Sequence, residues 1–369
     1  MSIDEKLKNM KPSDTPLLVM GYVLLGMMLL LGLPAQAQDN EVYINQSGNN
    51  LDLQILQAGY GNTIKNLQLN NDASLWGTNK TVKLQQLGNN NDIGMWTSGG
   101  YQTLRGHIDG NNNDLFLDAH GDSVNLQADI IGDYNYAWLE AGASNSHSYN
   151  ELTLYMEGDN HDAYIEAVGG LSNDLDIFMG NGQDGNTLDA VIGSGGDYNS
   201  LKVWQGKHDD GTTDTDETGG HYAYWEVHGD SNNLASYQTD TNRGGGGGRY
   251  HYLDNYVSGS YNVVEHIQMG KTGHDGYLDI YGNSNTVDIY QRGNGGRKDA
   301  TIELNGNGHT VDVFQKGSHS ASATVDLTFG TGAYTLDLDQ NVTSSAATYT
   351  ITGICNNSGG CSLTVNQNN

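Results

Sequence analysis

Asp288, Asp312 and Asp337 follow one another at intervals of 24 and 25 residues, each between two aliphatic side chains. Brought into one row they would repel unless neutralised, and oxygen ligands of this kind suit Ca2+ or another hard cation. Tyr290 and Phe314 keep the same interval and would form a companion aromatic row, able to stack on host-surface or matrix glycans or on neighbouring copies. Asp279 and Tyr281 carry the same two residue types in an offset series. Plainer readings stand beside these: acids as gatekeepers that keep an adhesive surface soluble, aromatics as good strand formers.

Catalysis is not indicated. Histidines such as His147, His161 and His208 lie among polar residues without metal-ligand spacing, and calcium-binding nonapeptides are not kept at short intervals. With 44 acidic residues, two near one another are weak evidence for a glycosidase. No nucleophile, phosphate loop or triad rises above chance, so the sequence predicts no enzyme and no cofactor beyond the Ca2+ row. A polysaccharide-active β-helix remains an alternative only because that architecture hosts such enzymes.

The other recurrent chemistry is that of amides. QAGYGNTIKNLQ, residues 57–68, sets Gln57, Asn62 and Gln68 around the glycines Gly59 and Gly61. Late in the chain Val264-Glu-His-Ile-Gln268, Val287-Asp-Ile-Tyr-Gln291, Val311-Asp-Val-Phe-Gln315 and Leu336-Asp-Leu-Asp-Gln340 repeat every 23 to 25 residues. Counting backwards adds Leu234 to Gln238, Leu201 to Gln205, Leu175 to Met179, Leu152 to Met156, Leu126 to Ile130, Leu104 to Ile108, Val82 to Gln86, Ile64 to Gln68 and Val42 to Gln46, about thirteen copies. An offset series, including Leu53 to Gln57, Leu115 to Ala119, Ala137 to Ala141, Ala163 to Ala167, Leu278 to Gly282 and Val325 to Phe329, supplies a second strand per repeat.

Because side chains alternate along a strand, the first, third and fifth residues of each copy share the inner face. A buried amide must be paired. Strands stacked at ~4.8 Å satisfy it, since each amide then donates to one neighbour and accepts from the other. The fold expected is therefore all-β: a β-solenoid with two strands per rung of about 22–25 residues, roughly 12–13 rungs, stacked as in amyloid. Gln46, Gln57, Asn62, Gln68, Gln86, Gln205, Gln238, Gln268, Gln291, Gln315 and Gln340 are the expected amide ladder. Gly48, Gly59, Gly61, Gly293 and Gly317 are the expected turn glycines. Two insertions, the acidic stretch near 206–221 and the glycine-rich stretch near 240–250, read as surface loops.

Residues 1–37 read as a signal peptide: lysines, an apolar run from Leu17 to Leu33, then Ala35-Gln36-Ala37. The run is slightly short for a membrane span, and Met10 is an alternative start. No integral membrane segment follows. Cleavage removes three acids and three lysines, so the mature chain keeps the net charge of −28, which opposes nucleic acid and anionic lipid. All 3 prolines leave with it, freeing every mature N–H for a ladder. Residues 38–350 then form the repeats, and 351–369 a C-terminal strand and cap, in which oxidising conditions favour a Cys355–Cys361 disulfide.

Gln57-x-Gly59-x-x-Asn62-x-Ile64-x-x-x-Gln68 resembles the curlin repeat, Gln-x-Gly-x-x-Asn-x-Ala-x-x-x-Gln, and Gln46-x-Gly48, Gln291-x-Gly293 and Gln315-x-Gly317 repeat its opening. The middle repeats depart from it by carrying Ile or Met for Gln, and the chain is longer and more acidic than a typical curlin. The resemblance implies a secreted subunit of extracellular amyloid fibres on a Gram-negative bacterium, serving adhesion and biofilm matrix. It further implies self-assembly or assembly with other curlin subunits, and curli-type export machinery.

Overall fold

The structure, a computed structural model, describes residues 41–58, 62–65, 73–88, 90–110, 112–132, 134–143, 149–158, 160–169, 171–180, 185–193, 198–206, 221–229, 231–239, 251–259, 261–269, 274–282, 284–292, 298–306, 309–317, 321–327, 334–342, 348–353 and 361–368. The predicted signal segment and Gln68, Gly59, Gly61, Gly293 and Cys355 lie outside them.

Alternation writes the strands. In Tyr149–Glu157 the side chains of Asn150, Leu152, Leu154 and Met156 are buried while Glu151 is exposed and Thr153 and Tyr155 are half-buried. A strand of this kind buries one face only, and its partner is found on the next turn of the coil. Tyr149–Glu157 pairs in parallel with Ser172–Gly180 on one side and with the second half of Asp114–Ile131 on the other. The strand lying between them in sequence, Asn160–Val168, belongs to a second column and pairs there with Tyr134–Ala143 and Gly185–Ile192. Parallel neighbours need a long crossover, and here each column supplies the crossover for the other.

Followed through these pairings, each column holds thirteen levels among the described residues, in line with the predicted rung number. The first column runs from Glu41–Tyr43 and Asn45–Ser47 to Thr348–Gly353; the second runs from Asp52–Ala58 to Ser362–Asn368. Two strands, Asp92–Asp109 and Asp114–Ile131, bend through the corner and serve both columns. The inner faces meet in one apolar core, for example Ala163, Ile165 and Ala167 against Leu152, Leu154 and Met156. Each fully buried aliphatic side chain contributes about 1.5–3 kcal/mol.

The counting frame slips at the first two repeats. Val42 pairs with Ile64 and Ile64 with Ile93, all in the first column, whereas Val82 to Gln86 stacks on Leu53 to Gln57. The rung between Gln57 and Gln86 spans 29 residues, so counting back at the shorter period lands on the wrong strand. Gln46 consequently leaves the ladder: it is exposed and stands opposite Leu75. The boundary expected at 350 also moves, because Thr348–Gly353 crosses it and pairs with Ala321–Leu327, and Ser362–Asn368 pairs with Thr335–Val342. These strands form a further rung, whose last strand lies within the expected C-terminal segment 351–369. Gly317 is the last residue of the strand Thr310–Gly317, opposite Val342.

Candidate functional site

In a repeat protein the candidate site is the surface by which one turn recognises the next. Its most regular part is a corner where most second-column strands carry an inward glutamine near their end. Gln86 donates to the Gln57 Oε1 at 2.8 Å and Gln238 to the Gln205 Oε1 at 3.0 Å. Gln340 donates to the Gln315 Oε1 at 3.2 Å, and Gln315 to that of Gln291 at 3.5 Å. The same amides reach across the corner to the first residues of the following strand: Gln86 to the Asp92 carbonyl, Gln205 to that of Tyr222, Gln268 to that of Asp275, Gln291 to that of Asp299 and Gln315 to that of Ser322. Each of these glutamines therefore joins two rungs and also closes its own turn, except Gln268, which among the described residues makes the turn contact alone. Between these stretches Ile108, Ile130, Met156 and Met179 fill the equivalent buried positions.

A second amide ladder escaped the sequence reading. Asn150 donates to Asn173, Asn173 to Asn199, Asn199 to Asn232 and Asn232 to Asn262, at 2.8 to 3.0 Å, an unbroken run over five rungs of the second column. The signal was present as Gly-x-x-Asn. Asn232 and Asn262 each donate to the carbonyl of the glycine three residues earlier, Gly229 and Gly259. In the first column Asn91, Asn113 and Asn135 do the same to Gly88, Gly110 and Gly132. Buried Lys80 and Gln102 take this place in two rungs, on the carbonyls of Gly77 and Gly99. Asn62, buried in this first-column series, belongs to the asparagine corner and not to the glutamine ladder. Gly48, as predicted, turns with φ +154°.

Further along the same corner the asparagines give way to His221, His251, His274 and Lys298, all buried. The rings of His221, His251 and His274 stack at 5.0 Å per step. His266 faces the core from the other column, and among the described residues neither of its ring nitrogens nor the Lys298 ammonium finds a hydrogen-bond partner. Burial, reinforced by His274, pushes the His266 pKa down to about 3; burial alone lowers that of Lys298.

On the outer face Asp288, Asp312 and Asp337 stand in adjacent rungs in direct register, as their spacing predicted. Burial raises the pKa of Asp288 and of Asp312; Glu265 adds to the first, and Asp288, Asp337 and Asp339 to the second. Tyr290 and Phe314 stack at 4.9 Å beside them. Another group, unnoticed in the sequence, brings three unlike residues together: the His120 Nε2 lies 2.7 Å from the Asp118 Oδ1 and 3.9 Å from the Glu140 Oε1 of the next rung. Gly142 makes room for the His120 ring, since a Cβ there would sit 2.0 Å from its Nδ1. Cys361 is disulfide-bonded just before the last strand.

Two columns of in-register parallel strands tied by inward amides define a β-solenoid of the repeat-stacking class. The family model of the curlin associated repeat matches residues 282–317. That stretch contains Gln291 and Gln315, 24 residues apart and hydrogen-bonded to one another. The match thus falls on late, evenly spaced rungs and not on 57–68, where the written motif is fullest but the rung stretches to 29 residues. No curated protein and no solved structure matches the chain.

Proposed function

We propose that the chain is a secreted structural subunit of curli-type extracellular amyloid fibres, contributing to adhesion and biofilm matrix, and that it is not an enzyme. One observation carries this reading: among the described residues, both ends of the solenoid leave the stacking surface open. Among the described residues Thr348–Gly353 and Ser362–Asn368 pair on one side only, as do Glu41–Tyr43 and Asp52–Ala58 at the other end. Leu363, in register with fully buried Leu336, is 53% exposed. Unpaired edges above an uncovered apolar core are a template for another copy. The curlin-repeat match supports the same reading. Export through a curli-type channel, partnership with other curlin subunits and a place on a Gram-negative cell surface belong to it.

Negative-stain electron microscopy of residues 38–369 over a concentration series, with fibre diffraction, tests the proposal. Unbranched fibres with a reflection at ~4.7–4.8 Å are expected. Monodisperse rods at every concentration would defeat it. A second reading, a monomeric solenoid that holds cations, is favoured by the Asp118, His120 and Glu140 group. A rise in melting temperature with added divalent metal, abolished by His120→Gln, would support it.

A further inference from the structure

One outer column follows a rule of its own. At the start of successive second-column strands the register reads Tyr101, Ser123, Tyr149, Ser172, Tyr198, Ser231, Tyr261, a strict alternation over seven rungs. The four tyrosines are 65%, 54%, 62% and 64% exposed. Elsewhere on this surface aromatic residues of adjacent rungs close on one another, as Tyr155 does on Phe178 and Trp204 on Tyr237. Other tyrosine hydroxyls are tied to carboxylates, as in Tyr155 to Glu157 and Tyr224 to Glu226. Among the described residues, no such ring contact or hydrogen bond engages Tyr101, Tyr149, Tyr198 or Tyr261. The interposed serines keep these four apart.

Between Tyr198 and Tyr261, over Ser231, the separation opens a cleft of about 390 Å³ whose walls include Ser200, Asn233 and Asp174. That volume falls in the range of small-molecule sites. Two rungs set the tyrosines ~9.6 Å apart, beyond direct aromatic contact. The lining presents hydroxyls, amides and one carboxylate, with no basic side chain, so an anionic ligand is disfavoured. Exposed aromatic faces carry negative charge density that suits the C–H face of a pyranose ring, and the hydroxyls and amides between them suit its hydroxyl groups.

We propose that this column binds a neutral, extended β-1,4-linked hexopyranose polymer lying along the solenoid axis. In such a chain successive sugars are turned over, so the same ring face returns at every second sugar, as a tyrosine returns at every second rung. Tyr101, Tyr149, Tyr198 and Tyr261 are the stacking platforms, and Ser231, Ser200 and Asn233 meet the intervening sugar. The site is complete within one chain and does not depend on fibre formation.

Co-sedimentation of residues 38–369 with microcrystalline cellulose, with a branched α-linked glucan as control, tests the assignment. Depletion by cellulose alone is expected. Tyr149→Ser/Tyr198→Ser/Tyr261→Ser is expected to weaken it at least tenfold with an unchanged melting curve, because serine already occupies alternate rungs. Ser172→Tyr/Ser231→Tyr keeps every platform but closes two of the three gaps, and should weaken binding too; a merely adhesive aromatic surface would gain affinity instead. Absence of binding by the parent chain, equal binding by the serine variant, or a variant that alters only bundling between copies would each overturn the proposal.

Discussion

Gln315 accepts from Gln340, donates to Gln291 and donates to the Ser322 carbonyl, so its removal strands partners in three directions. A buried polar group left unpaired costs about 1–3 kcal/mol. Gln315→Ala should therefore destabilise by roughly 3 kcal/mol once the cavity is added, whereas Gln315→Met, the residue type natural at Met156 and Met179, should lose about half as much. Denaturant unfolding separates the two; equal losses would mean that volume and not the amide matters. His266 gives the complementary case. Its folded pKa of about 3 lies below the ordinary 6.5, so the protonated form is favoured in the unfolded chain. Its contribution to stability is intact above pH 6.5 and falls as pH drops toward 3, by roughly 1.4 kcal/mol for each unit below 6.5. His266→Ile, matching Ile289 in the next rung, should flatten that acid limb in melts taken from pH 7 to pH 4.

Gly132 adopts φ +152°, and a Cβ there would stand 1.4 Å from the Gly110 carbonyl oxygen below it. Gly132→Ala should cost about 3 kcal/mol, from the backbone conformation and the broken approach. Gly193→Ala, where the nearest atoms stand at 3.5 Å, should be neutral or stabilising by about 0.5 kcal/mol. Thermal melts of the pair decide whether rung-to-rung contact or turn entropy governs these corners. Elements of this kind were legible in the sequence where the period was even: Val287 to Gln291, Val311 to Gln315 and Leu336 to Gln340 stack as read. Legibility failed where rung length varied, which displaced Val42 and Ile64 by one column. It failed also for the asparagine ladder, because asparagine among glycines reads as turn chemistry, and its inward direction depends on the strand that follows. Asp118, His120 and Glu140 could not be seen as a group, since two rungs supply them and Gly142 is what lets the imidazole in.

On the proposed function, charge governs how one molecule would join another. Residues 1–37 carry no net charge, so chains cleaved there would meet end to end carrying −28 each. Burial holds the carboxyls of Asp114, Asp162, Asp189, Asp254, Asp279, Asp288 and Asp312 above their usual pKa. For a carboxyl raised in the fold, the ionised form is the costly one. The penalty is full above the folded pKa, shrinks as pH falls through it, and is gone below the unfolded value of 3.8. Mild acid thus relieves repulsion along the rows, opposite in sign to His266. The ends themselves offer apolar residues and backbone edges, which salt does not weaken, while the rows repel over a Debye length that shrinks from ~30 Å at 0.01 M to ~8 Å at 0.15 M. Seeded elongation should accordingly speed up severalfold between those ionic strengths at pH 7.5, and the salt effect should diminish at pH 5. Elongation that slows with salt would show the ends to be held by ion pairs, and the open apolar rung would then be a frayed terminus.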